Sequence, residues 1–185
     1  MNRPFVAWIT GLPGSGKSTL ADFAYSKLKE NGVNVHLLRM DEIRKFLAPK
    51  PKYNEEERNF AYRAIVLCAK LLYDNKISVI IDATGHRRRY RNFARREIEN
   101  FAEIYVRCPL GICMRREAKR KSSVVMGMYR KALERKKFRK GVRGLGEVIG
   151  VDVEYEEPLS PELVIDTGKM AEKDAGMMLY EFLMA

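Results

Sequence analysis

The stretch Gly11-Leu12-Pro13-Gly14-Ser15-Gly16-Lys17-Ser18 joins an apolar run, Phe5 to Ile9, to a helix-like run that begins at Lys17. A glycine-rich turn set between a strand and a helix is the context of a phosphate-binding loop. Glycine allows positive φ and close approach of the backbone to a ligand, so successive N–H groups can surround a polyphosphate. The anion would also sit at the N-terminus of the next helix, where donors are unpaired and the macrodipole is positive. Gly11, Leu12, Pro13, Gly14, Ser15, Gly16, Lys17, Ser18 and Thr19 are therefore the ATP-binding candidates. Lys17 would reach the β- and γ-phosphates as a catalytic residue, and the Ser18 hydroxyl would hold Mg²⁺.

Strand and helix signals alternate along the rest of the chain, which predicts a parallel sheet. Strands are expected at Phe5 to Ile9, Val33 to Leu38, Ile77 to Ile81, Ala102 to Val106 and Leu163 to Ile165. Helices are expected at Lys17 to Asn31, Glu55 to Leu72, Arg88 to Asn100 and Leu110 to Lys121, with a last one from about Met170. In Glu55 to Leu72 the spacing of Phe60, Ala64, Leu67, Cys68, Leu71 and Leu72 predicts one apolar helix face. Met177, Met178, Leu179, Tyr180, Phe182 and Leu183 read as core contacts of the final helix. Val125 to Lys140 is basic and helical in pattern but has no broad apolar face, so it reads as a cover, with a hinge in the glycines from 141 to 150. The fold class is a P-loop NTPase three-layer α/β sandwich: a five-stranded parallel sheet flanked by helices, in one domain over 1–185 with a basic helical lid over about 117–150.

The formal charge is +11, and it is concentrated. Between Arg87 and Arg143 stand twenty Lys or Arg against five Asp or Glu. Such a block could hold nucleic acid or surround a small polyanionic substrate; it lacks the repeated aromatics of a base-stacking platform. No run of about 18 apolar residues occurs and no cleavable signal precedes the first strand, so a cytoplasmic protein without membrane contact is expected. Cys68, Cys108 and Cys113 include no C-x-x-C pair, which predicts three buried, reduced thiols. Charged residues make up 32% of the chain and glutamine is absent, the compositional direction of hyperthermophile proteins.

Three further motifs resemble the adenylylsulfate kinase (APS kinase) family, over nearly the whole chain. Asp41-Glu42-Ile43-Arg44 is similar to the family's D-N-V-R element, and Arg58 and Arg63 match arginines of its next helix. Cys113-Met114-Arg115-Arg116-Glu117 and Gly127-Met128-Tyr129-Arg130-Lys131-Ala132 resemble its C-x-x-R-D and G-L-Y-K-K-A segments. Gly150-Val151-Asp152, Tyr155-Glu156, Pro158 and Pro161 through Thr167 follow G-I-D-x-x-Y-E-x-P-x-x-P-E-L-V-x-D-T. The resemblance implies transfer of the ATP γ-phosphoryl group to the 3′-hydroxyl of adenylylsulfate, a small-molecule acceptor, with ATP and Mg²⁺. It implies that Asp41 lies beside the acceptor hydroxyl as a catalytic residue. Arg44, Arg58, Arg63 and Arg87 would bind the acceptor's anionic groups with Tyr53 and Thr84, and Arg116 would serve ATP. A homodimer is a further expectation.

The residues themselves leave alternatives. Asp41 could instead cap a helix beginning at Glu42, and Asp82, ending the third strand, could organise Mg²⁺ through water. Ala61 replaces the family's asparagine, Ala83-Thr84-Gly85-His86-Arg87 stands for I-S-P-x-R, and Val148 stands where a lid phenylalanine is expected. Tyr53 can then supply only one of two rings around the acceptor adenine. Ile80-Ile81-Asp82-Ala83-Thr84 followed by Arg87 to Arg91 also resembles the D-x-T element of kinases acting on polynucleotide ends or aminoacylated tRNA. In that setting His86 could contact a phosphate or sit solvated in a loop. A non-catalytic nucleotide switch is a third reading, against which stands the lack of an N-K-x-D element.

Overall fold

The computed structural model describes residues 3–48, 54–119, 127–138 and 145–185. Five strands, β1 (Val6–Thr10), β2 (Val35–Arg39), β3 (Ser78–Asp82), β4 (Phe101–Arg107) and β5 (Leu163–Asp166), form one sheet in the order β2-β3-β1-β4-β5, every pair parallel. β1 and β3 are buried along their whole length, as continuous apolar strands with helices on both faces must be. The edge strands β2 and β5 are buried only in part.

Side-chain alternation divides the core into two layers. Val6 and Trp8 of β1, with Val79 and Ile81 of β3, pack against helices α3 (Glu55–Asp74) and α4 (Arg88–Glu97). Ala7 and Ile9, with Ile80, Ile104 and Ile165, face α1 (Lys17–Glu30) and α7 (Glu172–Met184). A smaller third cluster, centred on Cys108, Cys113, Tyr129, Ala132, Leu145 and Val148, joins α5 (Leu110–Ala118) to α6 (Met128–Phe138). The predicted basic helix thus exists as α6 and buries a narrow stripe, Tyr129 and Ala132. The predicted segments 120–126 and 139–144 around it lie outside the described residues.

Several expectations are corrected. α3 forms, but Phe60, Leu67 and Leu71 face outward and the buried face is Ala61, Tyr62, Ile65, Val66 and Ala69. The helix has apolar residues around most of its circumference, so periodicity offers two stripes and contact with the sheet chooses between them. Met178 likewise turns outward from α7, while Leu179 is buried. Cys68 is only half-buried. The short helix offered as an alternative from Glu42 is present as α2 (Met40–Leu47), which follows β2 with no intervening loop. Its N-cap is Arg39, which puts Asp41 in the first turn and not at the cap.

Candidate active site

The phosphate loop leaves the C-terminal end of central strand β1, where ligands bind in open α/β sheets. Gly11, Gly14 and Gly16 all have positive φ. A Cβ on Gly14 would come within 2.5 Å of the Cys113 carbonyl oxygen, so no larger residue fits the turn there. The Ser15 N–H donates to the Leu12 carbonyl at 3.0 Å, closing the loop, and Gly16 caps α1 in the left-handed conformation. Lys17 is buried and donates from Nζ to the Leu12 carbonyl at 3.0 Å, folding over its own loop. Ser18 is half-buried at the start of α1, and Thr19 turns to the exposed side of that helix.

The outer wall of the loop is braced from elsewhere in the chain. Thr167 Oγ1 donates to the Ser15 carbonyl at 2.7 Å, and Tyr129 donates from its hydroxyl to the Pro13 carbonyl at 2.9 Å. Arg116 donates to the Thr167 carbonyl at 2.8 Å and lies near Thr167 Oγ1 and Ser15. Thr167 and Tyr129 belong to motifs visible in the sequence, but nothing in their spacing assigns them to the loop; a contact across 152 residues is a product of the sheet order.

On the β3 side, register sets Asp82 beside Ile9, next to the root of the phosphate loop, and its carboxylate lies 3.4 Å from Arg39. Asp41 is one strand further out, with an exposed carboxylate 3.9 Å from the Arg44 guanidinium. Arg44 itself is largely buried. Among the described residues no three His, Cys, Asp or Glu side chains gather into a metal-binding group. A cation here would draw on the Ser18 hydroxyl, Asp82, water and phosphate oxygens, the donor set that suits Mg²⁺.

Beyond Asp82 lies a cleft of about 260 Å³ between the β3–α4 turn, the start of α3 and the segment after α6, lined in part by Arg58, His86 and Arg87. Arg58 is buried and donates to the Glu147 carbonyl at 2.7 Å. Arg87 pairs with Glu156 at 2.9 Å, and the Arg88 N–H donates to the same carboxylate at 2.8 Å. Burial draws the Glu156 carboxyl up, but these partners outweigh it and hold its pKa below the ordinary value. His86 is buried, not solvated, and burial followed by the charges of Arg58 and Arg87 lowers its pKa to about 4. Thr84 contributes its carbonyl to a 2.6 Å bond from Thr10 Oγ1.

The chain matches the family model for adenylylsulphate kinase over residues 3–166. It belongs to that family. A probable adenylyl-sulfate kinase of Archaeoglobus fulgidus is 44% identical over 165 residues, covering 89% of this chain and 97% of the relative. The structure of the Mycobacterium tuberculosis APS kinase CysC in complex with AMPPNP and APS superposes with a TM-score of 0.82, at 26% identity and with both chains fully covered. The hexameric APS kinase from Thiobacillus denitrificans has a TM-score of 0.66 at 25% identity; it covers 98% of this chain, which spans 29% of that one.

Against this family background the predicted site residues divide. The phosphate loop, Asp82, Arg58, Arg87 and Thr84 come to the C-terminal edge of the sheet. Arg63 does not join the cleft: its guanidinium stacks on the Phe93 ring, 4.6 Å from the centroid, and it borders a separate depression near Asn59 and Phe60. It sits on the outward side of α3, whereas Arg58 shares the inward side with Tyr62. Arg116, expected to serve ATP, lies against the phosphate loop as a brace on the Thr167 and Ser15 carbonyls. Val148 is buried in the third cluster, its N–H bonded to Asp152. Tyr53 lies outside the described residues.

Proposed function

We propose that this protein transfers the γ-phosphoryl group of ATP to the 3′-hydroxyl of adenylylsulfate, giving ADP and 3′-phosphoadenylylsulfate. The observation that carries the reading is a phosphate loop and, by the same edge of the sheet, a polar cleft that holds Arg58 and Arg87 among carboxylates, in a chain of the adenylylsulphate kinase family. The acceptor oxygen forms a bond to the γ-phosphorus as the bond to the β,γ-bridging oxygen breaks. Asp41 orients the hydroxyl and takes its proton. Lys17 leaves the Leu12 carbonyl for the β- and γ-phosphates, where charge develops in the transition state. Arg44, Arg58 and Arg87 hold the acceptor's anionic groups through paired, charge-assisted bonds. Ser18 and Asp82 would hold Mg²⁺, which supplies charge neutralisation on the phosphates. The 117–150 segment acts as the lid, and a homodimer remains part of the proposal, checked by size-exclusion with light scattering.

The disposition of the basic block supports a small acceptor over a polynucleotide. Arg88 pairs with Glu156, Arg89 with Glu55, Arg91 with Glu103, and Arg95 with Glu162. These arginines are occupied within the molecule. The test is an ADP-release assay over adenylylsulfate, nucleosides, small polyols and tRNA, with the product identified by mass. Turnover confined to adenylylsulfate is expected; turnover confined to RNA ends would replace this reading.

A further inference from the structure

Two side chains that line the cleft by the β3–α4 turn carry buried nitrogen atoms without hydrogen-bond partners among the described residues, His86 Nδ1 and Arg58 Nη1. Both side chains are more than nine-tenths buried. A buried donor left unpaired is costly, so two in one cleft point to a group that arrives from outside. The backbone that carries His86 is held firmly. The Gly85 N–H meets the Tyr62 hydroxyl at 3.0 Å, Arg91 donates to the Gly85 carbonyl, and the His86 carbonyl accepts from the Glu156 N–H at 2.8 Å. The ring lies beside the stacked Tyr62–Tyr90 pair, with centroids 6.4 and 5.6 Å away.

We propose that His86 is an acceptor-binding residue: its Nδ1, together with Arg58 Nη1, donates hydrogen bonds to a sulfate or phosphate group of the acceptor at the inner end of this cleft. The proposal rests on the adenylylsulfate reading and deepens it, since His86 occupies the variable position of the element that appears here as Ala83-Thr84-Gly85-His86-Arg87. The carboxylates around the cleft do not displace an anion from these nitrogens. Asp152 is held by Arg135 and the Val148 N–H, Glu55 by Arg89, and Glu156 by Arg87 and Arg88. Glu154 is exposed, and Glu147 approaches Arg58 only to 3.9 Å with its side chain more than half exposed. At neutral pH the ring is uncharged, because burial and the neighbouring arginines lower its pKa to about 4. A neutral imidazole can carry its proton on Nδ1 and donate it without first being charged.

The chain has only two histidines, and His36 is exposed, so side-chain ¹⁵N NMR of the full-length protein isolates His86 with a built-in reference. Inorganic sulfate at matched ionic strength should shift the His86 ring signals and leave those of His36 in place. Adenosine monophosphate and adenylylsulfate then distinguish the two anionic groups: a shift with both assigns the phosphate, and one with adenylylsulfate alone assigns the sulfate. His86→Phe should raise KM for adenylylsulfate about 10- to 100-fold, the range of a hydrogen bond to a charged group, with KM for ATP nearly unchanged. His86→Asn, which restores an N–H close to the ring, should recover most of that loss. An unmoved His86 signal with every anion overturns the proposal whether or not His86→Phe folds. So does an unchanged acceptor KM in a folded His86→Phe, or an equal rise in both KM values. If the wild type makes no product from adenylylsulfate while sulfate still moves His86, the functional reading fails and the anion site stands.

Discussion

At the scale of single residues, the site shows how burial changes the meaning of a side chain. Lys17 is buried over its own loop and holds the Leu12 carbonyl. On the proposed mechanism it would swing from that carbonyl to the phosphates of ATP. Lys17→Ala should therefore lower kcat by about 10²- to 10³-fold or more, the loss seen when one transition-state charge contact is removed, while circular dichroism stays native. A folded variant with normal turnover would remove the loop from the mechanism. His86 carries a separate prediction for stability. Its pKa is 6.5 in the ordinary state and about 4 in the fold, so between these values the unfolded chain binds more protons. Stability should then fall as pH drops from about 6.5 to about 4 and level off below. The same titration of His86→Phe should lack that slope. A wild-type Tm with no pH dependence in this window would mean that the ring protonates freely.

At the scale of elements, a further prediction concerns how α4 is tied to the sheet. Arg91, fully buried, donates to Glu103 of β4, to the Gly85 carbonyl, and to the Glu156 carbonyl at 2.7 Å. One guanidinium thus joins α4, β4, the β3–α4 turn and the segment before β5. Removing its carboxylate partner leaves a charge buried without compensation. Glu103→Ala should destabilise the protein by about 3–5 kcal/mol in denaturant unfolding, far more than loss of an exposed pair such as Lys70–Asp74. A loss under about 1 kcal/mol would show that Arg91 is held by its carbonyl contacts alone. α3 illustrates the limit of pattern reading at this scale. Its existence and start are written locally, with Asn54 accepting from the Glu57 N–H as an N-cap and acidic residues in the first turn. Which of its faces turns inward is not local: Ile65 and Val66 win over Phe60 and Leu67 because α4 and β3 present a complementary surface.

For the whole molecule, the relevant quantity is where the charge ends up after folding. The segment from Arg87 to Arg143 looks like a nucleic-acid footprint when counted, but besides Glu103 and Glu134 within it, partners come from outside it, in Glu55, Glu156, Glu162, Asp152 and Asp166. The sheet order brings those carboxylates back against the arginines. Added tRNA should consequently compete poorly with adenylylsulfate at about 150 mM salt, where exposed charges are screened beyond about 8 Å. Inhibition that is strong at low salt and falls steeply as salt rises would instead mark a phosphate-tracking surface.

The phosphate loop, the alternation of strands and helices and the family motifs were legible in the chain because each depends on neighbours within a few residues: glycine φ, side-chain period and capping. The five strands appear close to their expected positions, and the expected helices appear with shifts at their ends. α2 was offered only as an alternative and placed two residues late, because β2 runs directly into it with no turn residue to mark the change. What only the tertiary structure decided was contact between distant segments. It brought Thr167 and Tyr129 to the back of the phosphate loop, sent Arg63 onto Phe93, and gave Glu156 to Arg87 and Arg88. It also buried His86 beside Arg58, although a histidine in a basic loop has every local reason to be solvated. Spacing along a chain determines which face of one element a residue occupies; only the packing of elements against one another determines what that face meets.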